Sequence, residues 1–154
     1  GNAMMYPVEI TFDFFDTENS DIKLLHNSQE CIPNHNRFIF KTEMTLPNTL
    51  QFRMIGKHSR KHDTFVDKNG KILHDRYIKI TDIRLNNLQP NDLYLQRWPI
   101  LLHSDNQTLH TNYIGHNGYI DLIFEANNPI QWILRSNIYQ DNTWQDDSMN
   151  NFVA

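Results

Sequence analysis

Between Val8 and Phe14 every second side chain is large and apolar: Val8, Ile10, Phe12 and Phe14 alternate with Glu9, Thr11 and Asp13. Successive side chains of an extended strand point to opposite faces, so this period of two buries one face and wets the other. The rhythm returns at Phe38, Phe40, Thr42 and Met44, at Leu50, Phe52 and Met54, at Ile120, Leu122 and Phe124, and at Ile130, Trp132 and Leu134. Ile22–Leu25 with Glu30–Ile32 reads as a short hairpin, and Trp98–His103 and Thr108–Ile114 as further strands. Clusters of Asn, Asp, Ser and Pro separate these runs, as turns require. No amphipathic helix of ordinary length can be written anywhere. About nine short strands joined by turns predict an all-β domain, an antiparallel β-sandwich of jelly-roll type, with an up-and-down barrel as the structural alternative.

At 154 residues the chain is long enough to bury a core as one domain. Hydrophobic content of 39% and aromatic content of 12% exclude a disordered chain. A net charge of −4 supplies no field for capturing phosphates, so nucleic acid is not expected as a partner. The single cysteine, Cys31, excludes an internal disulfide framework and a multi-cysteine zinc site. No apolar run approaches the roughly 20 residues that span a bilayer, and no signal peptide is visible, so synthesis in the cytoplasm without membrane insertion is expected. Where the protein finally resides is left open. Residues 1–3 read as the scar of a cleaved expression tag, residues 4–139 as one sandwich domain, and residues 140–154 as a polar tail in which Trp144 stands alone.

Gly56–Leu85 is the chemically densest stretch: a basic, histidine-bearing loop, an Asp67-Lys68-Asn69-Gly70 turn, then the longest β-branched run in the chain. That run is the candidate central strand. Ile78 and Ile80 fall on one face and Ile83 and Leu85 on the other, and the change of phase at Thr81-Asp82 predicts a β-bulge or a switch of neighbours. His58 and His62 share the i, i+4 spacing of a helical zinc pair, but the surrounding residues do not form a helix and no glutamate lies between them. A solvated basic loop is the plainer reading, with an anion contact by Lys57, Arg60 and Lys61 beside it. Asp63, Asp67, Asn69 and Asp75 offer the hard oxygen donors that calcium takes in sets of 6–8, although Asn-Gly is also an ordinary hairpin turn.

Tyr94, Trp98, Tyr113 and Tyr119 do not fall cleanly into the core pattern, and an exposed ring can stack on the C–H face of a sugar while amides bond its hydroxyls. With Asn112 and His116 they form the candidate ligand-binding set. His110 and His116 precede an Asn117-Gly118 pair that reads as a hairpin tip, with His103 across the preceding turn. No glycine-rich phosphate loop, nucleophile elbow or catalytic carboxylate pair is present.

The segments DTFVDKNGKILHDRYIKITDIRLNNL and NYIGHNGYIDLIF resemble those of small β-sandwich proteins of the carbohydrate-binding-module type, some of them phage-encoded. The resemblance implies a non-catalytic glycan- or polyol-binding domain, with a calcium ion held at Asp63, Asp67, Asn69 and Asp75. Two other readings stand beside it. One is a structural or accessory assembly protein, for example of a phage particle, working through protein contacts or as a homo-oligomer. The other is a metal-dependent hydrolase of jelly-roll class using His103, His110 or His116. Glycan binding predicts aromatics and amides converging on one face, assembly an exposed apolar patch, and an enzyme three metal-competent side chains around an open position.

Overall fold

The structure, a computed structural model, describes residues 4–15, 21–58, 64–91, 95–96, 99–102 and 107–135. Its strands are β1 (Tyr6–Phe15), β2 (Lys23–His26), β3 (Gln29–Glu30), β4 (Arg37–Met44), β5 (Asn48–Ile55), β6 (Thr64–Val66), β7 (Ile72–Asp75), β8 (Tyr77–Leu85), β9 (Pro99–Leu102), β10 (Gln107–His110), β11 (Tyr113–Ile114) and β12 (Gly118–Phe124). One sheet has the order β11-β8-β1-β4 and a second the order β10-β9-β12-β5-β2-β3, while β6 and β7 form a separate two-stranded ribbon. Every pairing among the described residues is antiparallel. No helix among the described residues is long and apolar enough to cross a membrane.

The alternating residues do what their period requires. Val8, Ile10, Phe12 and Phe14 of β1 meet Leu24, Phe52, Met54, Ile120, Leu122 and Phe124 of the second sheet in a single core. Phe12 and Phe52 touch edge to face across the two layers, with ring centroids 5.0 Å apart, the geometry that the ring quadrupoles favour. Cys31 is buried against this core, and burial pushes its thiol up to about 11, so it stays protonated and unreactive near neutral pH. The sandwich is thus two sheets sharing one apolar interior.

β8 is an interior strand, paired with both β1 and β11. The phase change at Thr81-Asp82 is a bulge: Thr11 faces Asp82 while Phe12 faces Ile80, so Thr81 is the extra residue. Its effect differs from the two-faced expectation. One inserted residue resets the alternation, and Ile78, Ile80, Ile83 and Leu85 all reach the same buried face.

Three local expectations are corrected. Residues 108–114 are not one strand: β10 belongs to the larger sheet and β11 to the smaller. The chain changes layer at Asn112, which is 3% exposed; its Nδ2 donates to Ile80 O at 2.9 Å while its own carbonyl accepts from Ile80 N at 2.8 Å. Consequently Asn117-Gly118 does not close a hairpin, because β11 and β12 lie in different sheets. Finally, the alternating Ile130, Trp132 and Leu134 sit on a short helix, α1 (129–135). Asn128 Oδ1 accepts from Gln131 N at 2.8 Å, Gln131 Oε1 accepts from Asn127 N at 2.7 Å, and Pro129 fills the first helical turn. Reciprocal capping of this kind overrides an alternation that buries only Trp132, leaving Ile130 and Leu134 exposed. Residues 1–3, the 140–154 tail and Trp144 lie outside the described residues.

Candidate ligand-binding surface

The outward face of the smaller sheet carries an unexpected row of rings. Phe15 is opposite Tyr77, and Tyr113 is opposite Lys79, so three adjacent strands bring Phe15, Tyr77 and Tyr113 side by side. Phe15 and Tyr77 stack with centroids 4.9 Å apart at 20°, and Tyr77 and Tyr113 follow at 5.1 Å and 59°. Phe15 and Tyr113 are 38% and 47% exposed, so the row is open to solvent. Lys79 Nζ lies 5.1 Å from the Tyr113 ring centroid, a cation–π contact that fixes the outer ring. Next to Lys79 across β1, Asp13 receives a forked bond from Arg37, with Nε and Nη2 at 2.7 and 3.0 Å. This carboxylate holds the Arg37 guanidinium above its ordinary pKa.

Beyond Phe15 the row runs into a depression of about 550 Å³ lined by Asp13, Phe15, Asn34, His35, Asn36 and Arg37. Its floor is a tight turn: His35 and Asn36 both have left-handed φ, and Asn34 and Arg37 exchange backbone hydrogen bonds. The turn presents two amides beside an aromatic edge.

At the Tyr113 end the loops form a second cavity, about 490 Å³, lined by Lys57, His58, Val66, Ile72, Asp75, Gly115, His116 and Asn117 among others. Lys57 follows Gly56, whose φ of +85° turns the chain at the end of β5. The Lys57 side chain is only 10% exposed, and its ammonium donates to Asp75 Oδ1 at 2.8 Å and to Gly115 O at 2.7 Å. Asn117 completes the clamp: its Oδ1 accepts from Lys57 N at 2.9 Å and its Nδ2 donates to Lys57 O at 2.7 Å. The Asn-Gly pair thus pins one loop to another instead of turning a hairpin.

The residues expected from the sequence are dispersed. Tyr113 is on the aromatic row, and His116 and Asp75 line the Lys57 cavity. Asn112 is a buried tie between strands. Tyr119 lies on the outward face of the other sheet under Arg53, whose Cζ is 5.0 Å from the ring centroid, beside a groove of about 380 Å³ with Asn27, Ser28 and Gln51. Tyr94, Trp98, Asp63, His62, His103, Arg60 and Lys61 lie outside the described residues. His58 is in extended chain, not on a helix, with Nε2 3.2 Å from Asp21 Oδ2, and the Lys57 charge is taken by Asp75 rather than held open for an anion.

Two of the described calcium donors are already engaged through one oxygen each. Asp67 Oδ1 accepts from the backbone N–H of Asn69 and Lys71 at 2.8 and 2.9 Å, holding the β6–β7 turn, and Asp75 Oδ1 is engaged by an ammonium. Among the described residues no three His, Cys, Asp or Glu side chains gather closely enough to hold a metal ion. The residues missed from the sequence are Phe15, Tyr77, Asn34 and Asn36, while Lys57 was expected as an anion contact and is found paired with Asp75. Phe15 and Tyr77 carried a signal: each is a large ring immediately next to a buried apolar residue, in the position that the alternation assigns to solvent.

Compared with known proteins, the chain matches no family model and no curated protein. Among solved structures it is similar to the selenomethionine form of vCBM60, from work linking two families of calcium-dependent carbohydrate-binding modules, with a TM-score of 0.39 and 9% identity over 77% of this chain and 90% of that one. It is also similar to vCBM60 in complex with galactobiose, with a TM-score of 0.32 and 13% identity over 76% of this chain and 97% of that one.

Proposed function

We propose that the protein is a non-catalytic glycan-binding domain that receives its ligand on the Phe15–Tyr77–Tyr113 row. The row itself carries this reading. Three rings at about 5 Å spacing, two of them well exposed, provide a continuous apolar ridge against which the C–H sides of sugar rings can pack. Asn34, Asn36, Arg37 and Asp13 at one end supply both donors and acceptors for hydroxyls. Such a platform is sugar-like in its demands: apolar faces in register with polar edges, and little net charge.

Tyr113→Ala removes the outermost ring without touching the core. Binding to an array of neutral tetrasaccharides, followed by titration calorimetry on those bound, is expected to weaken about tenfold, the equivalent of roughly 1.4 kcal/mol. Unchanged affinity in this variant would move the site off the row.

A calcium ion at Asp63, Asp67, Asn69 and Asp75 is the companion proposal from the sequence, and it would share the Asp75 carboxylate with Lys57. Because a ligand of the folded state raises the melting temperature, melting in EDTA against excess calcium reads this directly. A rise with calcium is the outcome this ion predicts; equal melting temperatures would remove it. The second functional reading, contact with a protein partner or another copy, draws on β4, which ends its sheet among the described residues and exposes Ile39. Lys41 and Glu43 on the same outward face blunt that edge.

A further inference from the structure

The Lys57 cavity is joined to the aromatic row through the chain itself. Asp75 and Tyr77 are separated only by Arg76, and Gly115 and Tyr113 only by Ile114, so two walls of the cavity continue directly into two strands that carry rings. Two residues of extended chain cover about 7 Å, which sets the cavity one sugar ring beyond Tyr113.

The chemistry of the cavity is that of a paired donor and acceptor. An ammonium has three N–H groups. Two of those on Lys57 go to Asp75 Oδ1 and Gly115 O, and the third has no acceptor among the described residues although the side chain is nine-tenths buried. A buried donor without a partner costs free energy unless a ligand or water supplies one. Asp75 already pairs with Lys57, so a neutral hydroxyl can accept from the ammonium without adding charge to the site. Val66 and Ile72 add apolar wall, with Ile72 60% exposed.

We propose that Lys57 and Asp75 form a clamp for two adjacent hydroxyls of one neutral sugar residue, the residue that follows the ring stacked on Tyr113. One hydroxyl oxygen accepts from the third Lys57 N–H, and its neighbour donates to the Asp75 carboxylate. This rests on the glycan-binding reading, and the test separates the two. cis-1,2-Cyclohexanediol carries the hydroxyl pair without a sugar, and cyclohexanol carries one hydroxyl. In amide NMR titrations the diol is expected to shift the Gly115, His116 and Asn117 signals, with cyclohexanol producing less than half of that shift at equal concentration. Asp75→Asn keeps the Lys57 contact and replaces one carboxylate oxygen by a donor. It is expected to lose about tenfold in affinity for the tetrasaccharides that the wild-type protein binds. Lys57→Met serves as a second variant, with its fold checked by melting.

Equal shifts from diol and monoalcohol, or wild-type affinity in Asp75→Asn, would overturn the clamp. If Tyr113→Ala then still loses affinity, the platform stands without it. If Tyr113→Ala also binds as the wild type does, both ideas fall together.

Discussion

Phe52→Ala is expected to lower the unfolding free energy by about 3–5 kcal/mol in urea or thermal denaturation, the range for emptying a fully buried aromatic position. Phe52 is 1% exposed and stands where the two layers meet. Its ring contacts Phe12 at 5.0 Å and Phe40 at 5.1 Å, both rings of the opposite sheet, and His26 at 5.2 Å from its own. Deleting it removes apolar area and leaves a void that two sheets tied by regular ladders cannot close by local collapse. A loss below about 1 kcal/mol would mean that the layers do not interlock through this ring.

Gly56→Ala is expected to cost about 3 kcal/mol or more, from a different cause. With φ at +85° an added Cβ would press on the backbone carbonyl of Asp21, 2.6 Å from its carbon and still closer to its oxygen. Neither partner is a flexible side-chain end, so one segment of backbone must move. Gly70 provides the control: its φ is +86° but nothing lies within 4 Å of a Cβ there. Gly70→Ala is expected to cost only about 1 kcal/mol, the conformational part alone. Equal melting temperatures for the two variants would show that the Asp21 approach relaxes freely. Because Gly56 leads straight into Lys57, its loss is also expected to loosen the clamp on Asp75 and Gly115.

The period of two in β1, β4, β5 and β12 was readable from the chain because it is local: a strand alternates wherever one of its faces is buried. The same holds for the Asp67–Gly70 turn, whose Asx bonds involve residues within four positions. Thr81 was partly readable. A phase change announced the bulge, but only the pairing with β1 showed that it returns Ile83 and Leu85 to the core. At 129–135 local alternation misled, because reciprocal capping by Asn128 and Gln131 outweighs a pattern of three apolar residues.

The candidate site belongs to the other category. Phe15, Tyr77 and Tyr113 are far apart in sequence and meet because β1 and β11 both pair with β8 in one register. Tyr113 and Tyr119 are six positions apart and part company because the chain changes sheet between them. Lys57 gains its role only when Asp75 at the end of β7 and Gly115 just after β11 are carried to it. Sequence by itself determined that this protein is built of strands with one apolar face each, since that follows from neighbouring residues and the geometry of an extended backbone. Which outward residues stand together was decided by strand order and register alone, because a side chain's lateral neighbours in a sheet come from other strands.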